Sequence, residues 1–210
     1  MEVAKGKKVR VRKLVREDVD KMQRWSMHQD PLFFHYNFPK MNEAEKDEWY
    51  AIKTKTFRKK SFAIENLTKE VIGYLSIRDI KWLKRESELG IVLDPQHINK
   101  GYGTEAIRIF LEYYFNELNM TAMTLRAAKF NERAIKCYMQ CGFRVLKESD
   151  EEFEDQYAEI FYNPLYKDLR KLFTIVEGKK KTRYVHMQVK KVEFYGENNH
   201  LSTKTVKIVE

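Results

Sequence analysis

Cysteine is nearly absent from this chain: Cys137 and Cys141 are the only two among 210 residues. That excludes a disulfide-stapled scaffold, and a thiolate metal centre would need further ligands that the neighbouring sequence does not offer, so no metal is expected. Proline (4) and glycine (8) are also scarce, which excludes collagenous and low-complexity architectures. No apolar run approaches the roughly 18 residues of a membrane-spanning helix. The opening stretch, Met1 to Lys8, lacks the apolar core of a secretory signal. These absences set the expectation of a cytoplasmic protein with no membrane partner.

Acidic residues are outnumbered, 31 against 40 Lys and Arg, for a net charge of +9. Such a balance favours anionic ligands. The basic residues are nevertheless spread over 5–13, 53–60 and 179–191, and none of these stretches carries a nucleic-acid-binding motif, so nucleic acid is not the expected partner. What the chain does have is apolar material, at 43% hydrophobic and 13% aromatic residues. That is enough for one packed domain spanning 1–210.

Hydrophobic periodicity supplies the elements. Residues 8–14 alternate as a strand, and Val15, Val19, Met22 and Trp25 recur as a helix over 16–27. Asn42 with Glu45 forms a capping box for a helix over 43–57. Strands follow at 61–65, 71–80 and 86–93. Ala106, Ile107, Phe110, Leu111, Tyr114 and Leu118 share one helical face. A strand at 121–128 precedes a short helix capped by Asn131, and Gly142 stops that helix before a strand beginning at Phe143. The order is β-α-α-β-β-β-α-β-α-β. It predicts an α/β (α+β) fold whose mixed, mostly antiparallel central sheet has about seven strands and helices on both faces. Beyond Lys147 come an acidic run, 148–159, a helix near 165–173, and strands at 182–192 and 203–209 that complete or extend the sheet.

The functional signal is Ile98-Asn99-Lys100-Gly101-Tyr102-Gly103-Thr104, between the strand ending at Leu93 and the helix that follows. A glycine turn at a helix N-terminus gathers free N–H groups and dipole potential, which suits a phosphorylated ligand. A Walker loop is absent. Gly101, Gly103 and Ala106 fit half of a dinucleotide fingerprint. The acidic residue it requires at the end of the next strand is missing, because that strand ends Leu125-Arg126-Ala127-Ala128-Lys129.

The remaining candidate is a coenzyme A turn. Lys100 to Ala106, with Asn131, Ala134, Tyr138, Gly142 and Phe143 downstream, resembles the GCN5-related N-acetyltransferase (GNAT) family, in its ribosomal-protein-alanine and spermidine N-acetyltransferase-like branch. The resemblance covers residues 8–147. Ile98 stands where the family usually has Arg or Gln, and Asn99 where many members have Gly. Backbone donors carry most of the anion recognition in such turns, so binding is expected to survive both departures.

The resemblance implies acetyl-CoA as co-substrate and direct attack by a primary amine in a ternary complex. The amine would belong to a protein N-terminus, a polyamine or another small molecule. It implies that the main chain of Ile91, Val92 and Leu93 pairs with pantetheine. Residues 98–104 would hold the diphosphate, Asn131 would contact the cofactor as well as cap its helix, and Tyr138 would bind the cofactor and protonate the leaving thiolate. Glu88 is the candidate base. The acceptor would be read by Phe33, Phe34 and Tyr36, through cation–π contact. An acidic run bordering the acceptor cleft would favour a polycation, whereas one on the surface would say nothing. A homodimer is a further expectation. Two other readings stay open: an acetyl-CoA-binding regulator without turnover, and a basic nucleic-acid-associated protein.

Overall fold

The computed structural model describes residues 2–196. Within them a nine-stranded sheet forms from β1 (Glu2–Lys5), β2 (Val9–Lys13), β3 (Lys60–Asn66), β4 (Val71–Lys81), β5 (Glu86–Leu93), β6 (Ala122–Ala128), β7 (Arg144–Glu152), β8 (Phe173–Val176) and β9 (Lys179–Lys190). The spatial order is β1-β2-β3-β4-β5-β6-β9-β7, with β8 also on β9. Every pairing is antiparallel except β5 with β6. The mixed, mostly antiparallel sheet is as expected. The strand count is higher because β1 and β8, each four residues long, are too short to show a period.

Among the described residues, helices α1 (Arg16–Met22), α2 (Glu43–Thr54), α3 (Tyr102–Asn116) and α4 (Glu132–Gln140) cover the sheet. The face under α3 and α4 is the larger core, built around Phe62, Leu75, Ile107, Phe110 and Met187. The face under α1 and α2 holds Leu14, Val19, Met22, Trp25 and Phe38. α1 ends earlier than the pattern suggests. Trp25 still reaches the core, but by turning its indole N–H to the Val71 carbonyl at 2.8 Å. The Asn42–Glu45 capping box forms in both directions, at 3.0 and 2.7 Å.

The acidic run is half strand. Glu148 to Glu152 lie in β7 opposite the basic strand β9, and Asp150 faces Arg183 across the sheet. The Asp150 carboxylate accepts from the Arg183 guanidinium at 2.6 and 3.0 Å. The chain then enters a third small core of Leu32, Phe153, Ala158 and Ile160. Residues 164–172 are a kinked 3₁₀ segment rather than an α-helix. β9 inserts between β6 and β7, so the C-terminal region completes the sheet from inside. The strand expected at 203–209 lies outside the described residues.

Candidate active site

β5 and β6 pair only from Glu86↔Ala122 to Glu88↔Thr124. Beyond Glu88, β5 stays bonded to β4, through to Leu93↔Gly73, and leaves β6 behind. The strands therefore part like a V, and one edge of Leu89 to Leu93 presents main-chain N–H and C=O groups with no sheet partner. Such groups need an acceptor or donor, and an extended amide-bearing ligand supplies both. The opening is a cavity of about 870 Å³.

At the mouth, Asn99 (φ 61°) and Gly101 (φ 80°) turn the chain through left-handed conformations into α3. The first intrahelical bond there is Glu105 N–H to the Gly101 carbonyl, 3.1 Å. The first-turn amides of Tyr102, Gly103 and Thr104 are therefore free for an anion. A side chain at Gly103 would stand 3.1 Å from Leu93 Cδ1, so glycine lets the helix sit close against β5. Glu105 fixes the turn from behind, accepting from the backbone N–H groups of Lys7, Lys8 and Val9 at 3.0, 2.7 and 2.9 Å. These donors, the open strand edge and the absence of a blocking Cβ fit a diphosphate with a pantetheine arm.

The sequence candidates divide by position. Ile91, Val92, Leu93, Ile98, Asn99, Gly101, Gly103, Thr104, Asn131, Tyr138 and Tyr36 all border this cleft. The side chains of Lys100 and Tyr102 instead line a shallow recess beside Lys8 and Thr68. The Lys100 carbonyl accepts from Lys8 Nζ at 3.3 Å. Phe33 packs between Tyr36 and Phe130, and Phe34 is half-buried in the same 3₁₀ turn, 31–36; neither borders the cleft. Asn131 Oδ1 accepts from Ala134 N–H at 3.2 Å, so it caps α4 while bordering the cavity.

Tyr138 lies on α4 with its ring edge against Phe143. Its hydroxyl has no hydrogen-bond partner among the described residues. Burial, followed by Cys137 and Cys141, pushes its pKa up, so it holds its proton at neutral pH. Cys137 Sγ and Thr104 Oγ1 are 3.2 Å apart and tie α4 to α3. Glu88 shares one face of β5 with Gly90 and Val92 by the period of two, but unlike them it does not line the cleft. Its carboxylate accepts from Arg78 Nη2 at 2.5 Å.

Sequence reasoning missed the far end of the cleft: His28, Lys53, Tyr74, Arg78, Arg126 and Glu154. Tyr74 and Arg78 were legible in part, since strand period puts them on one face of β4. The others come from separate segments with no local pattern. Burial first, then Arg133 and His35, holds His28 below its ordinary value and leaves it neutral at pH 7. Burial pushes the Glu154 carboxyl up, but the adjacent His35 ring and the Arg126 guanidinium outweigh it and hold it low. Glu154 Oε2 lies 3.4 Å from His35 Nε2, and Oε1 lies 3.7 Å from Arg126 Nη2. Of the acidic run, Glu154 is the residue that borders the cleft. No cluster of metal-ligating side chains occurs among the described residues, and no helix there is long and apolar enough to cross a membrane.

Residues 8–144 match the family model for the acetyltransferase (GNAT) domain. The spermidine N(1)-acetyltransferase of Vibrio cholerae serotype O1 is 26% identical over 165 residues, covering 79% of this chain and 91% of that protein. The enzyme of the same description from Escherichia coli K12 is 27% identical over 145 residues, covering 69% and 77%. In fold, the chain is similar to the crystal structure of the Vibrio cholerae spermidine N-acetyltransferase in complex with CoA and spermine. The TM-score is 0.67 at 21% identity, covering 89% of this chain and 98% of that one. A parted strand pair, a glycine turn at its end and a matching family model lead to one assignment. The chain belongs to the GNAT family, and it is an acyltransferase that uses acetyl-CoA to acetylate an amine.

Proposed function

We propose that the acceptor is a polyamine or a similar small primary alkylamine, acetylated by direct attack on acetyl-CoA in a ternary complex. The observation that carries this reading is the single cleft whose one end is the glycine turn and open β5 edge, and whose other end is walled by Tyr36 and Tyr74. Aromatic faces suit an alkylammonium chain, Glu154 supplies a negative charge there, and the relatives described as spermidine acetyltransferases support the same class.

In this reading, main-chain groups of Ile91 to Leu93 align the thioester and polarise its carbonyl. Tyr138 donates its proton to the departing thiolate. Glu88, hydrogen-bonded by Arg78, accepts the amine proton through water. Residues 98–104 hold the diphosphate mainly through backbone N–H groups. Phe33 and Phe34 support the acceptor end from behind Tyr36. Two free thiols suit a reducing, cytoplasmic setting. Self-association is part of the proposal: Val145 and Leu146 are half-exposed apolar residues on the edge strand β7, and sedimentation of the purified chain tests it.

The decisive experiment measures CoA thiol release from acetyl-CoA across polyamines, aminoglycosides and peptides with free N-termini. Turnover with highest kcat/KM on a polyamine is expected. A preference for peptide N-termini would overturn the acceptor class, and no turnover on any amine would overturn the reading altogether.

A further inference from the structure

The acceptor end of the cleft already contains a primary alkylamine. Lys53, near the end of α2, borders the cavity together with Tyr74, Gly90, Val92 and Tyr138. Its Nζ lies 5.1 Å from the Trp49 ring centroid and 5.3 Å from that of Tyr74. Tyr74 is the direct cross-strand partner of Val92 on the opened strand β5. The amine over the Tyr74 ring and the opened strand paired with Tyr74 therefore share one cavity. We propose that Lys53 is an acetylation site of the enzyme itself, taking the acetyl group of bound acetyl-CoA when no external amine fills the acceptor end.

Three observations carry this beyond proximity. The lysine side chain is an aminobutyl arm, the same chemistry as the primary end of an aliphatic polyamine, so a pocket shaped for one accommodates the other. Among the described residues no carboxylate pairs with Lys53 Nζ. Its charged neighbours are Lys59 and Arg78, both cations. Desolvation by burial, then those two cations, lower its pKa to about 8, leaving roughly a quarter of the amine neutral at pH 7.5. Lys46, on the same helix, shows the contrast. It is held by Asp20 at 2.9 Å and Glu43 at 2.5 Å, and those hydrogen bonds raise its pKa.

The step balances without another reactant. The Lys53 lone pair attacks the thioester carbonyl carbon, the amine proton leaves to Glu88 through water, and the C–S bond breaks. The thiolate takes a proton from Tyr138, which is replaced from solvent. The products are Nε-acetyl-lysine and free CoA.

The inference rests on the acetyltransferase reading above, and the test separates the two. The full chain is incubated with acetyl-CoA and no acceptor, then followed by intact mass and peptide mapping, while spermidine-dependent CoA release is measured on the same preparation. One acetyl group per chain is expected, at Lys53. It should form at least about tenfold faster than on the exposed Lys7 and Lys84, at a rate per molecule unchanged by tenfold dilution. Saturating spermidine should suppress it, Lys53→Arg should abolish it, and Tyr138→Phe should slow it about tenfold or more. Labelling of Lys7 and Lys84 at the Lys53 rate, or a rate per molecule that falls on dilution, overturns the proposal. Spermidine turnover with Lys53 unlabelled overturns it while leaving the enzymatic reading in place. No turnover and no label overturn both.

Discussion

The two ends of the cleft are made of different materials. The proposed coenzyme end is main chain: free amides at Tyr102 to Thr104, a left-handed Gly101 and the unpaired edge of β5. The acceptor end is side chain, with His28, Lys53, Arg78, Arg126 and Glu154 drawn from five separate segments of the sequence. A main-chain site tolerates substitution as long as the backbone keeps its path, which is why Ile98 and Asn99 need not match the usual residues. A side-chain site changes with every substitution. The first end preserves a common reaction, and the second can change acceptor without disturbing the first.

In the proposed mechanism Tyr138 belongs to the joint chemistry of both ends, and it carries the largest expected effect. Tyr138→Phe removes the proposed proton donor and keeps the ring that packs on Phe143. It should lower kcat about a hundredfold or more, with the KM for acetyl-CoA within about twofold. An unchanged kcat would mean that solvent protonates the thiolate. Gly101→Val attacks the main-chain end alone. Forcing a β-branched residue to φ 80° costs about 1–3 kcal/mol, so affinity for acetyl-CoA should fall roughly tenfold while the acceptor KM stays put. Equal losses for both substrates would dissolve the proposed division.

Smaller effects are expected from the carboxylates. Glu88 is already engaged by Arg78, so Glu88→Gln should lower kcat by about tenfold or less, through slower proton removal. A loss matching that of Tyr138→Phe would show Glu88 to be a direct base rather than one relaying through water. Glu154→Gln should raise the polyamine KM severalfold and leave the acetyl-CoA KM alone. A shift in the acetyl-CoA constant would move Glu154 to the wrong side of the comparison.

The same division explains what was legible in the sequence. Helix α3, the β3-β4-β5 meander and the Asn131-capped α4 repeat a period or a cap within a few residues, and local rules find them. The glycine turn is likewise local, and its neighbours Ile91 to Leu93 follow from it. Lys53 and Arg126 gave no signal, because nothing near either residue announces that α2 and β6 meet across an opening. Glu154 was hidden differently. It sits in an acidic run that reads as one feature, yet Asp150 and Glu152 bond to β9 while Glu154 turns inward. Charge counting merged two environments that only the sheet register separates. The early end of α1 is a tertiary effect of the same kind: the Trp25–Val71 bond is satisfied by leaving the helix.

Asp94 is the joint between the two ends, and it sets the smallest prediction. It follows β5 on the coenzyme side, and its buried carboxylate accepts from Ser26 Oγ at 2.6 Å and Ser26 N–H at 3.2 Å on the acceptor side, and from Gln96 N–H at 3.1 Å. Burial pushes its pKa up, but these hydrogen bonds prevail and hold it below the usual carboxylate value. A depressed folded-state pKa means that the unfolded chain binds the proton more readily. The carboxylate therefore stabilises the fold at and above pH 5, and that contribution fades as pH falls through about 4 and below. Asp94→Asn should lose about 1.5–3 kcal/mol at pH 7 and show a shallower decline between pH 5 and 3 than the parent. Urea unfolding at several pH values measures both. Parallel declines would mean that Asp94 contributes packing rather than charge to the joint, and that the two ends are held together by the shared sheet alone.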